Sequence, residues 1–265
     1  MASRPFTHVL ALLHFCSSYG SYGPSTLPDI GDPTFINECV STHNRFRSEV
    51  IPAASNMLYM SWDPDLAKTA KGWAKKCIFE HNIYLKEPGK AHPNFTPVGE
   101  NLWTGSLQIF TAKQAITSWY NEVNDYTYET NSCRRVCGHY TQIVWATSYK
   151  VGCAVHFCPR VTGFSGTNAA HFICNYGPAG NYPRRPYERG APCSMCHGDQ
   201  CANKLCKNAE RDKVISDSRW YPDWDRPACD AYCISVIVLR LLFFTLVIPA
   251  TWIFQKYRPV APASE

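Results

Sequence analysis

The order of elements along this chain predicts an α+β fold, and three observations carry the prediction. Apolar residues recur at helical spacing in three stretches of the first half, and a pair of short alternating segments follows them. Fourteen cysteines in 265 residues require an oxidising compartment, since no array of metal-ligand spacing absorbs them. An apolar run from Ile234 to Phe254 would span roughly 31 Å as a helix, enough to cross a bilayer.

Each element has its own residues. Phe35, Ile36, Cys39, Val40, His43, Phe46 and Val50 share one face of the first helix. Asp63 caps the second, with Pro64 in its first position and Leu66, Ala67, Ala70, Trp73, Ala74 and Cys77 on the inner side. Thr111-Ala112-Lys113-Gln114 is a capping-box pattern that opens the third, which buries Ala115, Ile116, Trp119 and Val123. Val151, Cys153, Val155 and Phe157 alternate as a strand bounded by Tyr149-Lys150 and Cys158-Pro159. A second strand runs from His171 to Tyr176 and stops at Gly177-Pro178, with residues 159–168 as the turn between the two.

Hydrophobic content of 45% and charged content of 18% describe a globular chain. The net charge of +5 comes from paired basic residues, such as Lys75-Lys76 and Arg134-Arg135, rather than from a stripe. No nucleic-acid partner is expected. Arg4, the apolar run Val9 to Leu13 and the small residues from Ser17 to Gly23 read as a secretory signal over 1–22, although His14 interrupts it. A transmembrane helix is expected over 231–254, followed by a cytoplasmic tail over 255–265. Asp223, Asp225 and Asp230 precede the span, and Lys256 and Arg258 follow it. That asymmetry favours a type I protein of the plasma membrane with its folded part outside. Arg240 is the costly residue, at ~2.5–3.5 kcal/mol in mid-bilayer unless it snorkels or pairs with a partner helix. A GPI signal fits less well, because the chain ends in a polar tail.

Pro183-Arg184-Arg185-Pro186 opens a segment, 183–206, containing Cys193, Cys196, Cys201 and Cys206. In a reduced protein these would suggest a zinc knuckle; in an oxidising compartment two disulfides stapling a small hinge are expected. A juxtamembrane linker around Trp220 and Trp224 occupies 207–230. Removing Cys16 with the signal and setting aside Cys229 and Cys233 leaves an odd number of cysteines, with Cys39, on a buried helix face, the candidate for the unpaired one. Cys229 and Cys233 themselves suit an intermolecular disulfide, acylation or a buried interface.

Four motifs then appear in order: His43-Asn44-Arg45-Phe46-Arg47, Gly99-Glu100-Asn101, Gly138-His139-Tyr140-Thr141-Gln142-Ile143-Val144-Trp145, and His171 to Tyr182. Together they resemble the CAP superfamily (cysteine-rich secretory proteins, antigen 5, pathogenesis-related 1), and the hydrophobic C-terminus resembles its glioma pathogenesis-related group. The resemblance implies a three-layer α-β-α CAP sandwich over 33–182, with a disulfide-rich hinge and a C-terminal transmembrane helix. It also implies a Cys153–Cys174 disulfide and a groove formed by His81, Glu100, Glu122 and His139. In that groove His81 and His139 are the expected ligands for Zn2+ or another divalent cation, with carboxylates to orient the imidazoles. Asn44, Gln142 and Asn175 would buttress the site or its backbone. His43 reads as core, and His92 and His171 have no motif support as ligands. The further cysteine-rich domain of some relatives is missing, so their channel-blocking activity is not carried over.

Catalysis finds little support. The chain has neither an HExxH nor a GxSxG pattern, and Thr141 and Ser118 are the nearest hydroxyl candidates; no catalytic residue is assigned. The resemblance leaves binding of a sterol, fatty acid or peptide, or recognition of a protein partner in adhesion or signalling. Asn94-Phe95-Thr96 is a glycosylation sequon in a loop just before Glu100, with Pro97 directly behind it.

Overall fold

Helix α1 (Pro33–Ser48) starts where the Asp32 carboxylate accepts the amides of Thr34 and Phe35. The chain then lays down β1 (Ser61–Trp62) and α2 (Pro64–Ala74), whose cap Asp63 accepts the amides of Asp65 and Leu66. Strand β2 (Gly99–Ser106) precedes α3 (Ala112–Tyr120), where Thr111 takes the Gln114 amide. A short hairpin, β3 (Tyr126–Thr127) and β4 (Ser132–Cys133), leads to the six-residue helix α4 (Gly138–Ile143). The long hairpin of β5 (Lys150–Arg160) and β6 (Thr167–Gly177) completes the sheet. Two small strands follow, β7 (Gln200–Ala202) and β8 (Leu205–Lys207), and then α5 (Ala231–Tyr257). This computed structural model describes residues 23–215, 219–226, 229 and 231–257. The secretory signal read over 1–22, and residues 258–265 of the tail, lie outside the described residues.

The sheet order is β1-β5-β6-β2, with β1 parallel to β5 and the other pairs antiparallel. Side chains of α1, α3 and α4 join Val151, Cys153, Phe172 and Cys174 in one core. Phe172 meets Phe35 edge-on at 6.2 Å between centroids and stacks on Trp119 at 5.4 Å. Helix α2 covers the opposite face, so both sides of β5 are buried and three layers result.

Contact between α2 and the sheet is direct at Gly152, where an added Cβ would lie 2.1 Å from the Ala67 amide nitrogen and 2.5 Å from the Asp63 carbonyl oxygen. Backbone cannot yield as a flexible side chain would. Gly152→Ala is therefore expected to cost about 3 kcal/mol through overpacking. A thermal melt of the unit ending at Pro222 checks this, and an unchanged midpoint would contradict the close approach.

The hairpin turn is tighter than its Gly- and Ser-rich sequence implies. Pairing continues to Arg160 opposite Thr167, and Gly163, at φ +84°, supplies the left-handed residue of the turn. Residues after 183 fold back into the core. Tyr187 and Leu205 join the cluster around α1, the Tyr59 amide donates to the Cys206 carbonyl at 2.9 Å, and the Ser55 amide donates to the Glu188 carbonyl at 2.8 Å.

Among the described residues, every cysteine but Cys39 is paired. Cys153 and Cys174 face each other in register and are bonded, with Cα atoms 4.1 Å apart. Cys77–Cys158 ties the end of α2 to β5, and Cys133–Cys137 closes a loop directly before α4. Cys193–Cys201 and Cys196–Cys206 staple the segment that carries β7 and β8. Cys39 is free and fully buried, and burial pushes its thiol well above the ordinary range. One expectation is corrected: Cys229 and Cys233 bond to each other within the chain. They are thus neither acylation sites, nor an intermolecular link, nor interface thiols. A four-residue spacing at the start of α5 puts their Cα atoms 5.3 Å apart, within disulfide reach.

The chain divides into two units, one ending at Pro222 and the other comprising Asp223 onward. In the second, Tyr232–Phe254 is long and apolar enough to cross a membrane.

Candidate functional site

Two histidine–glutamate pairs are held on either side of one strand's start. Glu100, the second residue of β2, has a fully buried side chain. Its Oε1 accepts from His81 Nδ1 at 3.0 Å and from the Asn82 amide at 2.9 Å, and its Oε2 accepts from Asn175 Nδ2 at 3.2 Å. The carboxylate is thus fixed by β6 and by the loop after α2. His81 itself stays largely open to solvent, in a pocket of about 460 Å³ lined also by Asn82, Ile83, Leu85 and Lys86. The hydrogen bond to Glu100 raises the His81 pKa above its ordinary 6.5. With Nδ1 donating to the carboxylate, Nε2 is the free nitrogen.

The second pair is built by the end of α3. Glu122 lies in the tight turn Asn121–Asp125 that continues this helix. Its Oε1 accepts from His139 Nδ1 at 2.6 Å, while Oε2 takes the amides of His139 and Tyr140 at 3.0 and 3.2 Å. One carboxylate therefore caps α4 and orients its histidine. The Trp119 ring lies nearly parallel to the His139 imidazole at 6.1 Å, and Asn101 Nδ2 donates to the His139 carbonyl at 3.1 Å. Consecutive residues of β2, Glu100 and Asn101, thus hold the two halves. The pocket at His81 is not lined by His139 or Glu122.

Both imidazoles carry a carboxylate on Nδ1 and leave Nε2 unengaged, the arrangement of metal-binding histidines with an outer-shell acid. Two nitrogen donors are fewer than the four of a structural zinc site. Each pair thus offers one imidazole nitrogen beside a fixed carboxylate.

Among the described residues, one group of three or more potential ligands lies within 4.8 Å, namely Asp63, Asp65 and His92. Its donors are already engaged. Asp63 Oδ1 takes two amides and faces His92 Nε2 at 3.3 Å, and His92 Nδ1 accepts the amides of Asn94 and Phe95. The Lys68 ammonium lies on Asp65 at 2.9 Å and supplies the local positive charge. Burial pushes Asp63 up, but the bonds from His92 and the helix amides more than offset it and hold its pKa below 3.8. Asp65 is raised by burial despite Lys68. This group is a folded ion cluster more than a vacant cage.

Other residues singled out in the sequence do structural work. His43 is fully buried between the Cys39 carbonyl and the Tyr176 hydroxyl, and burial lowers its pKa to about 4. Burial lowers His171 to about 4 likewise, with Nδ1 beside the Thr104 hydroxyl at 2.7 Å. Asn44 bonds both backbone groups of Met60, and Gln142 accepts the Gly180 amide. The Thr141 hydroxyl donates to the Asn181 side-chain oxygen at 2.6 Å, and the Ser118 hydroxyl donates to the Ala115 carbonyl. Neither is aimed at a histidine. Trp119, read from the sequence only as a core residue, and Asn101, read only as part of a motif, are site residues that sequence reasoning did not assign to the site.

A family model, the cysteine-rich secretory protein family (CAP), matches residues 40–176. The chain belongs to this family. It is 51% identical over 246 residues to glioma pathogenesis-related protein 1 of Mus musculus, covering 91% of each chain. GLIPR1-like protein 1 of Bos taurus is 51% identical over 222 residues, 82% of this chain and 91% of that one. Among solved structures, NaASP2 with Zn2+ superposes at a TM-score of 0.53 and 28% identity, covering 68% of this chain and all of the other. The CAP core thus places the paired His and Glu residues on a fold of which one relative has been solved with zinc.

Proposed function

We propose that this CAP protein is a membrane-tethered extracellular binding module whose groove, around His81, Glu100, Glu122 and His139, works with a bound divalent cation. The single observation that supports this most strongly is the duplicated geometry: each histidine donates Nδ1–H to its own glutamate and keeps Nε2 free. A zinc-containing structure of a 28%-identical relative points the same way. Bound metal would supply positive charge and exchangeable positions for an anionic or carbonyl group of a ligand. The chain's own residues set the imidazole orientation and exclude water behind Glu100. The ligand class is a sterol, a fatty acid or a peptide, presented at the plasma membrane by a type I anchor over 231–254. Recognition of a protein partner is the second reading, supported by the anchor. The Asn94 side chain is exposed in its loop, which suits the sequon.

Protons compete with metal for Nε2. Because His81 is raised above 6.5, protonation excludes the metal over a wider range than for a free imidazole. Zinc affinity is expected to fall as pH drops through the His81 pKa, by about tenfold per unit for each ligating imidazole that must lose a proton. Calorimetric titrations between pH 5.5 and 8.5, on the unit ending at Pro222, check this. Affinity independent of pH across that interval would remove His81 from the site.

A further inference from the structure

Arg240 stands in α5 with no counter-charge on its own helix. The segment Tyr232–Phe254 contains no Asp or Glu, and Arg240 is its one charged residue. At 1.5 Å per residue the arginine lies roughly 12 Å from Tyr232 and roughly 21 Å from Phe254 along the axis. If the segment spans a bilayer, a reading on which this inference rests, the residue sits well inside a hydrocarbon core of about 30 Å. The nearer boundary is farther than an extended arginine side chain reaches, so snorkelling shortens the exposure without ending it. Its helical neighbours at three and four positions, Val236, Ile237, Phe243 and Phe244, are apolar, and Arg240 is exposed on the helix surface.

We propose that α5 docks, within the membrane, one transmembrane helix of a partner protein that carries an Asp or Glu at the depth of Arg240. Charge complementarity selects this occupant. A carboxylate satisfies the guanidinium fork bidentately, and in a low-dielectric medium the pair is strong because water does not compete. A second copy of this chain is the wrong occupant, since it brings a second arginine to the same depth. The protein would then act as the extracellular, ligand-binding subunit of a membrane complex, with its partner carrying the acidic residue.

The test co-expresses the full chain with a single-span probe of leucine and alanine bearing Asp level with Arg240, beside an otherwise identical probe bearing Leu. Association is read by energy transfer in intact membranes, and alkaline extraction reports separately whether the chain spans. The expected result is a chain resistant to extraction that associates at least about tenfold more with the Asp probe, loses this on Arg240→Leu, and regains it when Arg240→Asp meets an Arg probe. Equal association with both probes, or an Arg240→Leu chain that behaves as wild type, would overturn the proposal while leaving the span intact. Release of the chain by alkali would overturn the spanning reading and this inference with it.

Discussion

Replacing Arg47 by methionine is expected to destabilise the unit ending at Pro222 by about 3–5 kcal/mol. Arg47 is 1% exposed and, among the described residues, has no carboxylate partner. Its guanidinium instead donates to five carbonyls: Leu58, Ile143, Trp145, Ala146 and Ser148, at 2.6–3.1 Å. One side chain of α1 thus gathers the loop after α4 and the strand entry at Leu58. Methionine fills much of the volume but gives those oxygens no donor. The Trp145 and Ala146 carbonyls keep the amides of Ser148 and Leu58. Those of Leu58, Ile143 and Ser148 lose the partner that Arg47 supplied, at about 1–3 kcal/mol for each one left buried and unsatisfied. Since the 143–148 loop directly follows the helix that carries His139, the substitution should also loosen the site. Thermal unfolding should show a midpoint lowered by about 10 °C. A midpoint within a degree of wild type would mean that water or rearranged backbone replaces the guanidinium.

Little of that network could be read from the residue string. Arg47 falls on the apolar face of its helix, four residues after His43 and three before Val50, and Arg45 falls on the opposite side, but the spacing does not say which carbonyls a buried guanidinium meets. The helices were legible because their ends carry local chemistry. Asp32, Asp63 and Thr111 cap the helices that follow them. Strands β5 and β6 were legible from alternation, although their inner and outer faces are both covered, which the alternation does not report. Strand β2 was missed because it is an edge strand that begins with Gly99, Glu100 and Asn101. Helix α4 was missed because it is one and a half turns long and its cap comes from Glu122, 17 residues earlier. The four groove residues came from motif resemblance. Their pairing, His81 with Glu100 and His139 with Glu122, depends on loops closing across β2 and is visible only in three dimensions. Asp63 shows the same limit, being at once a helix cap and the partner of His92.

On the proposed reading, loss of both imidazoles abolishes divalent-metal binding around His81 and His139. In wild type each Nε2 is presented by a fixed ring: His81 is held by a buried carboxylate, and His139 by Glu122 and the parallel face of Trp119. Removing even an outer-shell partner of a metal-binding histidine costs 10–100-fold in affinity, so removing both ligands should cost at least about 100-fold. The backbone amides that Glu100 and Glu122 accept remain in His81→Ala/His139→Ala, so the fold should survive the change. The Asp63–Asp65–His92 group serves as an internal control, since its donors are engaged by amides and Lys68.

The decisive measurement is zinc titration by calorimetry on the unit ending at Pro222, wild type beside His81→Ala/His139→Ala, at pH 7.5. A single site of about micromolar affinity or tighter, absent from the double variant while its thermal midpoint is retained, is the predicted result. Equal binding by the two proteins, or none by either, would contradict a metal site at these histidines and leave the paired glutamates as parts of a structural hydrogen-bond cluster.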